Sequence, residues 1–190
     1  LEVDVPPNET ATWHSPKARQ LFLGRYEFRV DALDARWTVE AVPRTLAFGT
    51  RYRTPTALGL NVVGGKFEPQ YPPADDETND TSTATATPVP APDGESWLLI
   101  YVRIRNYRQS AQQTPPADTF TLHVGEETSA PLTVDPSGDL YRSQSLDGRT
   151  ILEDPLLFAV PEGTSAADVS VEWARSYDQG DVSVSWQTDG

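Results

Sequence analysis

The chain has 190 residues and contains no cysteine and no methionine. Without thiols there is no cysteine nucleophile, no Cys-ligated metal and no disulfide staple. A chain of this length buries a sizeable core without such staples. Lysine is nearly missing as well, with Lys17 and Lys66 the only two. Two histidines, His14 and His123, are the whole imidazole supply. No apolar run approaches the 18 or so residues that a membrane helix needs. With no methionine at position 1, Leu1 is read as the residue after a removed signal, leaving room for a lipid anchor before it.

Acid takes the place of lysine. Asp and Glu number 28 against 15 Lys and Arg, for a formal net charge of −13. Such a surface repels phosphate backbones, so nucleic acid is excluded as a partner, and anionic lipid is disfavoured. Lysine scarcity together with acid excess is read as halophilic adaptation, in preference to ordinary solubility by net charge.

The longest apolar run is Trp97-Leu98-Leu99-Ile100-Tyr101-Val102-Arg103-Ile104-Arg105. It alternates. Leu98, Ile100, Val102 and Ile104 share one face, because successive side chains leave opposite sides of a pleated strand. The other face turns from apolar to basic along the strand, so a central strand is expected whose later half reaches an open surface. Arg25 to Asp31 alternates as cleanly, with Tyr26, Phe28 and Val30 expected inward. Trp37, Val39 and Ala41 continue the pattern. Residues 44–57 read as a turn-rich basic loop carrying Arg44, Arg51 and Arg53. Leu58 to Val63 reads as a strand stopped by Gly64-Gly65.

Proline, acid and a Thr/Ala run interrupt the pattern at 69–96, which reads as a low-complexity loop inserted in one domain spanning 1–190. Beyond the central strand, Phe120, Leu122 and Val124 alternate. Gly125 to Ser129 reads as a turn and Pro131 to Val134 as a short strand. Val169 to Trp173 and Val182 to Trp186 read as a hairpin around Asp178 to Asp181. Some eight or nine short strands with Gly/Pro turns and no helical stripe define an all-β, antiparallel β-sandwich.

Candidate chemistry is sparse. No Gly-x-Ser-x-Gly occurs, and His123 reads as a solvent-facing strand residue rather than a catalytic base. Asp75, Asp76, Glu77 and Asp80 offer hard oxygens, but their spacing matches no calcium loop, and they read as a solvated acidic stretch. No metal site and no cofactor is expected. Asn8 and Asn79 begin Asn-x-Thr sequons and are glycosylation candidates. Arg103, Arg105 and Arg108 follow one another on and after the central strand. In so acidic a chain they are the favoured binding patch, suited to a carboxylate or an anionic glycan.

The strand Trp97 to Asn106, then Phe120-Thr121-Leu122-His123-Val124, Ser145-Leu146-Asp147-Gly148-Arg149-Thr150, Pro155 to Gly163 and Val169 to Trp173 together form a pattern over about residues 20–175. It resembles the DUF4352-type, telokin-like immunoglobulin-fold domains of secreted and lipid-anchored microbial proteins, whose strands end in val-x-val-x-asn and phe-glu-val-pro. The insert and the strand at 180–187 depart from that pattern. The resemblance implies an immunoglobulin-like sandwich, here of a halophilic archaeon, working outside the cell or in its envelope. The expected function is a non-catalytic binding or structural module with a protein or glycan partner at the cell surface. The alternatives are a subunit of a surface assembly and a carboxylate-dependent hydrolase. Oligomeric state is left open.

Overall fold

The computed structural model describes residues 22–30, 35–72, 87–133 and 138–188. Asn8, His14, Asn79 and the acids at 75–80 lie outside them, as does most of the Thr/Ala run. The described residues form fifteen strands: β1 Gly24–Val30, β2 Ala35–Ala41, β3 Arg44–Ala47, β4 Tyr52–Arg53, β5 Leu58–Glu68, β6 Gln70–Tyr71, β7 Val89–Pro90, β8 Glu95–Asn106, β9 Gln112–Gln113, β10 Phe120–Val124, β11 Glu127–Ser129, β12 Ser145–Leu146, β13 Ile151–Pro161, β14 Val169–Tyr177 and β15 Gly180–Gln187. Short 3-10 turns at Ala117–Thr119 and Ala166–Asp168 lead into β10 and β14.

Two sheets make an immunoglobulin-like sandwich. One has the order β11-β10-β14-β15-β3 and the other β13-β8-β5-β4. The alternating residues meet between them. Leu98, Ile100, Val102 and Ile104 from β8 pack with Leu58, Leu60 and Val62 of β5 and Leu156, Phe158 and Val160 of β13. Facing them are Phe120, Leu122, Val171, Trp173, Val184 and Trp186. Trp173 and Trp186 are fully buried. The expected hairpin closes β14 to β15, with Tyr177 opposite Gly180.

The outer face of β8 behaves as its sequence implies. Trp97 and Leu99 are buried, in a second small cluster with Tyr71, Leu140 and Leu157. Tyr101, Arg103 and Arg105, further along, are exposed.

Several expectations are corrected. Residues 44–57 are not one loop: β3 and β4 lie there, and β3 runs parallel to β15, the one parallel pairing in the sandwich. Short strands of mixed polarity carry no period-two signal of their own, so only their partners reveal them. Gly64-Gly65 does not stop β5. The strand bulges between Val62 and Gly64 and continues to Glu68. A Cβ at Gly65 would sit 2.7 Å from Ile100 Cδ1, so glycine there admits the neighbouring strand's side chain. Residues 125–129 include β11, whereas Pro131 to Thr133 form no strand. The stretch read as one loop at 69–96 is pleated at both ends: β6 pairs with β7, and Trp97 Nε1 donates to the Val89 carbonyl at 3.0 Å. Among the described residues β1 and β2 pair only with each other, and β2 is largely exposed, Val39 to 37 %. Tyr26 is half-buried and donates to the Phe22 carbonyl at 2.8 Å. The side chains of Phe28, Val30 and Trp37 lie outside the described residues.

Candidate functional site

Strand pairing assembles an arginine-lined cleft on the outer face of the β13-β8-β5-β4 sheet. Across this face Ile151 of β13 lies opposite Arg105 of β8, and Arg105 opposite Gly59 of β5. One step along, Glu153 lies opposite Arg103, and Arg103 opposite Asn61. Arg53 of β4 pairs with Gly59. The result is a cleft of about 410 Å³ lined by Gly49, Arg51, Gly59, Asn61, Arg103, Arg105 and Ile151.

At its edge stands Tyr107. The guanidinium carbons of Arg51, Arg53 and Arg105 lie 5.3, 5.1 and 5.2 Å from its ring centre. Its backbone N–H donates to the Ala57 carbonyl at 3.2 Å, tying it to the turn between β4 and β5. That turn is itself fixed by Thr54, whose hydroxyl accepts from the Leu58 N–H at 3.0 Å. Gly59 makes room for the arrangement. A Cβ there would lie 2.8 Å from Tyr107 Cε2 and 3.0 Å from Arg51 Cδ.

The electrostatics are lopsided. Each guanidinium gains about 0.5–1 kcal/mol from the negative face of the ring. Any two unit charges ~10 Å apart repel by ~0.4 kcal/mol in water and ~1.7 kcal/mol at an effective dielectric near 20. Arg103 is neutralised by Glu153, its Nε donating to Oε2 at 2.5 Å. Among the described residues no carboxylate forms an ion pair with Arg51, Arg53 or Arg105. Asn61 Nδ2 donates to the Gly49 carbonyl at 3.0 Å, while its Oδ1 has no partner among the described residues. The Tyr107 hydroxyl likewise has none. Three guanidiniums around one ring, with no carboxylate paired to them among the described residues, are suited to hold an anion.

Of the three arginines read from the sequence, Arg103 and Arg105 line the cleft and Arg108 does not. Arg108 sits in the loop after β8, where its N–H donates to Asn106 Oδ1 and its carbonyl accepts from the Arg149 N–H. In its place the fold recruits Arg51 and Arg53, which the sequence sets some fifty residues away. Arg44 of that same group is on β3. It lies near Tyr52, whose phenol burial pushes up to about 12.

His123 is half-buried, with Nε2 3.1 Å from Glu172 Oε2. The Ser183 hydroxyl donates to the other oxygen of Glu172 at 2.5 Å. The hydroxyl is therefore tied to the carboxylate and not to the imidazole, the reverse of what activates a serine. A second, shallow depression is bordered by Asp139, Glu153 and Asp154. Burial, and then the Asp139 charge, holds the Asp154 carboxyl above its ordinary value. Among the described residues no three acidic or imidazole side chains converge as metal ligands. No described helix is long and apolar enough to cross a membrane.

The two sheets define the protein's class, a β-sandwich. The chain is similar to the yjhA protein from Bacillus subtilis, at 12% identity over 75% of this chain and 99% of that one, with a TM-score of 0.51. It is also similar to an uncharacterized β-sandwich protein from Clostridium difficile, at 14% identity over 80% and 97% of the two chains, with a TM-score of 0.49. No family model matches the chain, and no curated protein matches it. At the level of the β-sandwich fold the resemblance read from the sequence is supported.

Proposed function

We propose that this chain is a non-catalytic binding module of the cell envelope or cell exterior, and that it takes an anionic group in the cleft around Tyr107. The observation that carries the reading is the convergence of Arg51, Arg53 and Arg105 on one ring with no neutralising carboxylate among the described residues. Arginine presents a planar donor fork that suits a carboxylate, sulfate or phosphate, and clustered guanidiniums are relieved of mutual repulsion when one arrives. The extracytoplasmic site, and the finer kinship to DUF4352-type domains, rest on the sequence pattern. The lysine-poor, acid-rich composition supports a high-salt habitat, and a melting midpoint that fails to rise in molar KCl would remove that part.

The test replaces Arg51 and Arg105 together by Ser and compares binding to intact envelopes and to extracted surface glycans. Loss of charge-assisted bonds should weaken binding by about tenfold or more. Arg108→Ser, outside the cleft, should bind as the parent does. Equal binding by the double variant would remove the cleft from the function. Hydrolysis of an ester, peptide or glycoside panel that is lost in Asp154→Asn would overturn the non-enzymatic reading.

A further inference from the structure

The outer face of β8 does more than present positive charge. Tyr101, Arg103 and Arg105 are alternate residues of one strand, all pointing away from the core. Residues two apart on a strand are about 7 Å apart, so the three side chains span about 14 Å, the length of a short oligosaccharide. Three different chemistries follow one another along that row. At one end Arg105, with Arg51 and Arg53, offers guanidiniums without a carboxylate partner among the described residues. In the middle the Arg103–Glu153 pair offers donors and an acceptor side by side. At the other end Tyr101 is 36% exposed and presents an aromatic ring on the sheet surface.

From this order we propose that the row binds an acidic oligosaccharide laid along β8. Its carboxylate sits among Arg105, Arg51 and Arg53, its hydroxyls over the Arg103–Glu153 pair, and a pyranose face on Tyr101. The proposal rests on the anion cleft described above and names its ligand class. A fully ionised sulfate or phosphate has no hydrogen to give Glu153, whereas a sugar acid carries hydroxyl donors beside its carboxylate. A protein partner fits less well. The exposed apolar side chains of this face, Tyr101 and Ile151, are separated by the arginines and form no contiguous patch.

The experiment titrates the full chain with trigalacturonate, galacturonate, neutral maltotriose and inorganic sulfate, by calorimetry and by chemical-shift changes. Trigalacturonate should bind tightest, galacturonate more weakly, and maltotriose weakest. Tyr101→Ala should cost trigalacturonate about tenfold, the scale of burying one sugar face, and leave galacturonate unchanged. Arg51→Ser with Arg105→Ser should abolish the preference of trigalacturonate over maltotriose. Sulfate binding as tightly as trigalacturonate, with no effect of Tyr101→Ala, would overturn the oligosaccharide and leave the anion cleft standing. No binding of any of the three anions would overturn both. Maltotriose binding as tightly as trigalacturonate would show that the arginines play no part.

Discussion

Asn106 ends the central strand fully buried, and its amide is the knot of two loops. The two hydrogens of Nδ2 are shared among the carbonyls of Ser110 at 2.8 Å, Leu146 at 3.0 Å and Asp147 at 3.2 Å. Oδ1 accepts from the Arg108 N–H at 2.9 Å and from Gln112 Nε2 at 2.5 Å. Replacing Asn106 by Leu keeps the volume and deletes all of these bonds. The Leu146 carbonyl is left unpaired in the interior, at a cost of about 1–3 kcal/mol, and each part-buried bond is worth about 0.5–1.5 kcal/mol net. Water recovers some of the latter, so the expected loss is about 3–5 kcal/mol, a large share of the 5–15 typical of a domain. Urea unfolding followed by the fluorescence of the buried Trp173 and Trp186 would measure it, with an unchanged slope as the check that both variants unfold alike. Asn106→Asp adds a sign. Its carboxylate would face three carbonyl oxygens in the interior, so its folded pKa rises above the unfolded one. Stability is then present while the acid is protonated and is lost as pH rises through that raised pKa. A loss under about 1 kcal/mol for Asn106→Leu would refute the claim that this amide holds the loops.

Other outcomes follow from the same geometry. Ile100 is 1% exposed between the sheets, so Ile100→Ala should lower unfolding free energy by about 2–5 kcal/mol, and a negligible change would place it on the wrong face. Gly148→Ala would drive a methyl into the backbone of Gln109, and should lower the melting midpoint more than Gly125→Ala, whose added methyl meets open space although its φ of 60° is strained. Asp154 has its folded pKa raised by burial and by Asp139, so ionising it disfavours the fold. Asp154→Asn should therefore raise the midpoint at neutral pH, with the gain vanishing on acidification, and a gain that persists in acid would contradict this.

The elements read best from the chain are those whose side chains sort by a strict two-residue period. Leu98 to Ile104, Phe120 to Val124 and the hairpin of Val169 to Trp173 with Val182 to Trp186 were legible because alternation is written in consecutive residues. The clean alternation of Tyr26, Phe28 and Val30 shows the limit. It identifies β1 as a strand, yet among the described residues β1 pairs only with the exposed β2 and adds no strand to either sandwich sheet. Half of the candidate site was readable in the same way, since Arg103 and Arg105 stand on the polar face of an alternating strand. Gly59, between two leucines, was the remaining local clue.

What the sequence by itself determined is the period-two strands, the absence of thiol chemistry and the acidic surface, because each depends on residue type and nearest neighbours alone. Tertiary structure decided which strands pair and in what register. Only there does Gly59 come between Arg105 and Arg53, so that guanidiniums some fifty residues apart meet on Tyr107 while Arg108, three residues beyond Arg105, turns away into the loop held by Asn106. Register is set by burying one face of every strand at once, a condition that no single segment of the chain contains.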